Sequence, residues 1–238
     1  MIPFDMMYVW MVLLPGMLLS AGASFLVKSA FSRYSRVGTR RGLTGAQAAQ
    51  LLLDRAGIHD VQVVPVPGHL SDHYNPQTKQ LALSQDVYGS NSVAAVGVAT
   101  HEAGHAIQDA VGYVPLKLRA LSVPAANIGG QLGPIVLMIG LMMMFAGSAL
   151  GKPVLLLGVV LFSLVLLFQL ITLPVEFNAS LRARRLVVEA GIVTPDERGG
   201  IDKVLTAAAL TYVAAAISTA LTLLYYLMRS GLLGGSDD

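Results

Sequence analysis

The chain reads as a mainly α membrane protein, with about four transmembrane helices and a small α+β unit held on one side of the bilayer. Two observations predict this class. The 238 residues are 54% hydrophobic and only 13% charged, with a mean hydropathy of +0.64, far more apolar than a soluble domain. Four runs, residues 6–27, 128–150, 153–175 and 204–228, each reach the roughly 20 apolar residues that a helix needs to cross a hydrocarbon core.

The first run is preceded by Asp5 and followed closely by Lys28, Arg33, Arg36, Arg40 and Arg41. A cleavable signal would carry its positive charge in front, so residues 1–27 read as an uncleaved anchor with its N-terminus outside. Counting spans onward puts residues 28–127 and 176–203 in the cytoplasm, residues 128–175 in the membrane as two helices, and residues 204–238 in a last helix with a short tail. All of the 16 Lys and Arg residues except Lys152 and Arg229 then face inward, as the positive-inside rule requires. Both termini fall outside.

Within 28–127, Thr44-Gly45-Ala46-Gln47 is a capping box that opens a short amphipathic helix, closed by Gly57. Val61 to Val66 reads as a strand before a Pro67-Gly68 loop. Segments 71–74 and 79–83, separated by the turn residues Asn75-Pro76-Gln77-Thr78, read as a hairpin. Ser90-Asn91-Ser92 offers N-caps for a longer helix, which Gly112 and Pro115 are expected to end. Gly234-Gly235-Ser236-Asp237-Asp238 reads as a disordered tail.

That longer helix contains His101-Glu102-Ala103-Gly104-His105. Histidines at i and i+4 lie one above the other on a helix face, so both imidazoles reach one metal ion. Glu102 projects beside them, where a carboxylate can take a proton from water and pass it to a leaving amine. The flanking apolar run argues against chance, because two imidazoles and a carboxylate buried without a shared partner would be costly. The chain has no cysteine, which excludes disulfides, thiolate metal sites and cysteine nucleophiles. A metal must therefore be held by imidazole and carboxylate, a donor set that suits one catalytic Zn2+ with an open position.

A third ligand has to come from elsewhere, and His59, His69, His73 and several carboxylates are available. Glu176 is favoured, since it sits where the third span emerges on the cytoplasmic side; the competing reading is an interfacial carboxylate paired with an arginine. Gln169, on the same face, reads equally well as an interhelical hydrogen-bonding residue. His69, Asp72 and His73 could form a second metal cluster, although a polar loop explains them more simply. Arg182, Arg184 and Arg185 read as topology signals, and Met138, Met142, Met143 and Met144 as lipid-facing or packing residues.

Leu43 to Ala46, Pro67 to Tyr74, the His101 motif, Pro115 to Arg119, Leu173 to Ser180 and Ala207 to Val213 occur in the order found in the YugP-like bacterial membrane zinc metallopeptidases. The chain resembles that family from the anchor to the last span. The family is similar to the HtpX and CAAX prenyl proteases, and the resemblance implies a zincin-like, Glu-zincin arrangement: His101, His105 and Glu176 on zinc, Glu102 as general base. Those relatives place an aspartate four residues after the ligand glutamate. Here that residue is Ser180, so support for the ligands is expected from its hydroxyl, from Asn178 or from another segment.

The expected activity is hydrolysis of peptide bonds at the cytoplasmic face of a bacterial cell membrane, on protein or peptide substrates that include membrane proteins. The peptide is expected to lie along the hairpin near residues 74–83 by strand addition. His73, Tyr74, Tyr212 and an arginine are candidates to stabilise the oxyanion. The alternative is a catalytically silent zinc-binding scaffold. Nucleic-acid binding is not expected, because the basic residues follow the membrane boundary.

Overall fold

The structure, a computed structural model, describes residues 5–233; the tail expected to be disordered lies outside them. The elements run α1 (Met6–Tyr8), a π-helical turn (Val9–Leu13), α2 (Leu14–Tyr34), α3 (Gly45–Arg55), β1 (Gln62–Val66), β2 (His73–Asn75), β3 (Gln80–Ser84), α4 (Gln85–Tyr88), α5 (Val93–Ala110), α6 (Val114–Phe145), α7 (Gly151–Glu189) and α8 (Arg198–Arg229). This is a mainly α membrane protein with a small three-stranded sheet. Four helices are long and apolar enough to span a bilayer: Met6–Tyr34, Val114–Phe145, Gly151–Glu189 and Arg198–Arg229.

These helices run well past the apolar cores read from the sequence. Hydropathy counts apolar side chains and does not register where backbone hydrogen bonding stops. Gly112, at φ +68°, does close α5, but Pro115 lies in the first turn of α6, where its missing N–H costs nothing. At the other end α6 stops at Phe145, before Gly147 at φ +72°.

The chain divides into two compact units. One consists of Ala23–Lys117 and Leu173–Thr211. Its sheet has the order β1-β3-β2, with β1 parallel and β2 antiparallel to β3. The hairpin forms with Tyr74 opposite Leu81 and Asn75 opposite Gln80, so Asn75 belongs to β2 and the turn is residues 76–79, one position on from the 75–78 expected. β3 is nevertheless the central strand: β1 covers its other side, so a peptide cannot add there, and β2 and β1 are the edges. Of the segment 74–83 along which a peptide was expected to add as a strand, β3 is therefore closed and β2 is the edge. Thr44 and Gln47 form the capping box, each side chain bonding the other's backbone N–H. Ser92 caps α5 through Ala95 N–H at 3.2 Å.

The core of this unit gathers Leu52 and Leu53 of α3, Leu81 and Leu83 of β3, Val96, Ala99 and Ala103 of α5, and Ala183 and Val187 of α7. α5 is buried on nearly every side. A helix so enclosed cannot leave polar side chains without partners, which places strong demands on whatever its histidines face.

The other unit holds the described parts of residues 1–22, 118–172 and 212–238. Gly129, Gly133 and Gly140 of α6 meet α7 at Leu161, Phe162 and Leu155, so close that a Cβ at Gly140 would overlap the Leu155 backbone. Small residues at such crossings let helices pack by van der Waals contact where lipid supplies no hydrophobic drive. Met138 and Met142 are exposed, as lipid-facing residues would be, whereas Met144 packs against the Leu137–Leu155 cluster. Asp5 caps the first helix through Met7 N–H at 3.0 Å and pairs with Arg229 at 2.8 Å and the Tyr225 hydroxyl. That pins the start of the first helix to the end of the last.

Candidate metal centre

All of the groups that converge at the site belong to the unit containing α5. His101 and His105 stack one turn apart, ring centroids 4.8 Å apart and planes at 82°. Both direct Nε2 at one oxygen of Glu176: His101 at 3.3 Å and His105 at 3.6 Å from Oε2. The ligand atoms of the three residues lie within 4.8 Å of one another, and they are the one such group among the described residues. Glu176 is 3% exposed and His105 7%. Of the candidates for a third ligand, Glu176 is the one that the structure brings to the two histidines.

Gly104 makes this approach possible. It lies between the histidines on α5, and a Cβ there would sit 2.8 Å from the carbonyl oxygen of Ala179 on α7. Without a side chain at 104, α7 comes in close enough for Glu176 to reach both rings.

The remaining ring nitrogens are held by two different devices. His101 Nδ1 lies 3.2 Å from Ser180 Oγ, so the hydroxyl stands behind this imidazole, as expected of a group that orients it. His105 Nδ1 lies 3.0 Å from Gln108 Oε1. The orientation of that amide is determined by its other end: Gln108 Nε2 donates to the Val175 carbonyl at 2.8 Å and to Asn178 Oδ1 at 3.0 Å. A carbonyl can only accept, so the nitrogen must face it, and Oε1 must then accept from His105 Nδ1–H. In its neutral form His105 then carries its proton on Nδ1, with the Nε2 lone pair available to a metal. Asn178 Oδ1 also accepts from Arg182 Nε at 2.8 Å, which orders the next link of the chain.

Burial opposes a charge on His105, but the Glu176 and Glu102 carboxylates outweigh it, and its pKa lies above the usual imidazole value. A divalent cation would satisfy the same field. The fit is therefore good: two imidazoles with their far nitrogens occupied, plus one buried carboxylate, all aimed at one point. Glu102 is 8% exposed, and among the described residues no hydrogen bond engages its carboxylate, which leaves it able to take a proton.

Gln108 escaped the sequence reading. Its signal was present, for it lies three residues after His105 and seven after His101, on the same helix face, and it is fully buried. The loop residues do not assemble a second metal cluster: His69 pairs with Asp86, Asp72 accepts from Ser84 N at 2.8 Å, and His73 Nδ1 meets the Ser71 carbonyl at 2.8 Å. Tyr74 donates its hydroxyl to Asp109 Oδ2 at 2.8 Å, and Lys79 Nζ reaches the same oxygen at 2.7 Å. Burial and the Asp109 bond push the Tyr74 phenol well up. Asn178 and Ser180 stand behind the histidines, while Tyr212 lies on α8 in the other unit.

Residues 9–231 match the family described as "Putative neutral zinc metallopeptidase". Over 220 residues the chain is 44% identical to the "Putative membrane protease YugP" of Bacillus subtilis (strain 168), covering 92% of this chain and 94% of that protein. No solved structure matches.

Proposed function

Since the chain belongs to the neutral zinc metallopeptidase family, we propose that it is an integral membrane endopeptidase of the Glu-zincin type, with one zinc ion held by His101, His105 and Glu176. The observation that carries this reading is the convergence of both Nε2 atoms on Glu176 Oε2, which is 75 residues from His101 in the sequence. Zinc, when bound, supplies a Lewis acid that polarises the scissile carbonyl and makes water a stronger acid. Glu102 takes the proton from the attacking water and returns it to the amine nitrogen of the departing peptide. Ser180 and Gln108, the latter backed by Asn178 and Arg182, keep the imidazoles turned toward the ion. The Tyr74 hydroxyl is committed to Asp109, so the oxyanion donor is sought instead at His73 or an arginine.

The charge asymmetry of the sequence supports a cytoplasmic site at a bacterial cell membrane with both termini outside. The Asp5–Arg229 pair fits this, since an even number of crossings returns the chain to the side where it began. Glu176 lies on a spanning helix, which favours membrane proteins or their juxtamembrane tails as substrates.

The test compares zinc content and casein cleavage of the purified chain with those of two variants. Glu102→Gln is expected to keep zinc and lose about 10²–10⁴-fold in cleavage, whereas Glu176→Ala is expected to lose zinc. Metal bound without cleavage under any condition would point to the silent scaffold. Unchanged zinc occupancy in Glu176→Ala would remove the third ligand.

A further inference from the structure

Away from the metal centre, a cavity of about 500 Å³ opens between the C-terminal half of α2 and the first turns of α8. Its walls change character along its length. Leu26, Ala30, Ala207 and Leu210 form an apolar channel, and Arg33, Tyr34 and Lys203 stand at the other end. Both cations flank one ring: the Arg33 guanidinium carbon and Lys203 Nζ each lie 5.9 Å from the Tyr34 centroid. Neither forms an ion pair among the described residues. The one acid in the lining, Asp202, is already countered by Arg184 at 3.4 Å and Arg198 at 3.6 Å, so the end of the cavity carries net positive charge.

The channel lies on two helices that are long and apolar enough to span, at the ends where those helices become charged. An amphipathic cavity at that depth, apolar along one part and cationic at its mouth, is complementary to a lipid with a negative headgroup. We infer that this groove binds one anionic glycerophospholipid, with its phosphate between Arg33 and Lys203 and an acyl chain along Leu26, Ala30, Ala207 and Leu210. Ser29, also in the lining, is placed to bond the headgroup. An inorganic anion would use the cations alone and leave the apolar channel without purpose.

The experiment measures lipid retained per chain by native mass spectrometry, after the full-length protein is exchanged into micelles holding equal phosphatidylglycerol and phosphatidylcholine. One phosphatidylglycerol per chain is expected, retained over phosphatidylcholine, and Arg33→Gln combined with Lys203→Gln is expected to weaken retention about thirtyfold, the effect of two basic residues near a charged surface. Arg36→Gln removes a nearby exposed charge outside the cavity and is expected to change retention little. Ala30→Phe fills the channel with both cations intact and is expected to lower retention as well; it carries the test if the double variant does not fold. Equal retention of the two lipids, or a loss in Arg36→Gln as large as in the double variant, would reduce the effect to bulk electrostatics and overturn the site. Displacement by sn-glycerol 3-phosphate would make it an anion site, and displacement by a casein peptide would make it a substrate channel; either result overturns the lipid assignment.

Discussion

Two helix contacts in this protein use the same device for different ends. At Gly140 in one unit, α6 and α7 approach until a Cβ would overlap the Leu155 backbone, and everything around the crossing is apolar. At Gly104 in the other unit, α5 and α7 approach until a Cβ would stand 2.8 Å from the Ala179 carbonyl, and there the contact brings two imidazoles to a carboxylate. A missing side chain gives proximity in both places. What the proximity produces depends on what flanks the glycine: packing where the neighbours are Leu and Phe, a metal-ligand set where they are His and Glu.

The largest effect separates the two contacts. Gly104→Val should displace α7 and abolish zinc binding, measured as metal per chain. Gly140→Val should lower the melting temperature while the folded fraction keeps its zinc. Even Gly104→Ala, which gains about 1 kcal/mol of helix propensity, should lose metal, because the obstacle is backbone that cannot rotate away. If both valine variants kept full zinc, the role assigned to Gly104 would be wrong.

An intermediate effect concerns the ligands' far nitrogens. Gln108→Ala frees the His105 tautomer and leaves Asn178 Oδ1 with Arg182 as its one donor among the described residues, so zinc affinity should fall about 10–100-fold, measured by chelator competition. Ser180→Ala, which removes a single hydroxyl at 3.2 Å, should fall toward the lower end of that range. A reversal of this order would show that His101 is the more dependent ligand.

The smallest effect lies at the far end of α5. Lys79 and Tyr74 hold the Asp109 carboxyl below its usual pKa against the opposing effect of its partial burial, and the Asp109 bond raises Lys79. A depressed carboxyl contributes stability above its unfolded pKa and loses that contribution as pH falls through the folded value; a raised lysine contributes below its unfolded pKa and loses it as pH rises. Asp109→Asn should therefore cost about 1 kcal/mol or less near neutral pH, since the pair is partly exposed. The difference from wild type should shrink below about pH 4. A gap constant across that range, followed by thermal melts, would discount the ion pair.

Much of this was legible from the chain alone because the signals are local. The capping box at Thr44 and the i, i+4 histidines each depend on neighbours within a turn or two and form as read, and the hairpin turn forms one residue later than read. The order β1-β3-β2 was not legible, because a parallel partner arrives from a separate segment and leaves no mark on the hairpin. The span limits were blurred, since apolar content and helix ends are different properties. Gln108 was overlooked because its spacing from the histidines shows only a shared helix face, and its three partners come together only in the fold.

The sequence by itself determined the membrane class, the pair of imidazoles on one helix face and the base beside them, since all three follow from periodicity and apolar length. Only the tertiary structure decided which acid meets those imidazoles, which amide locks His105, and why residue 104 must lack a side chain. Those are contacts between segments some 70 residues apart. Their strength depends on distance in space and on exclusion from water, neither of which spacing along a chain records.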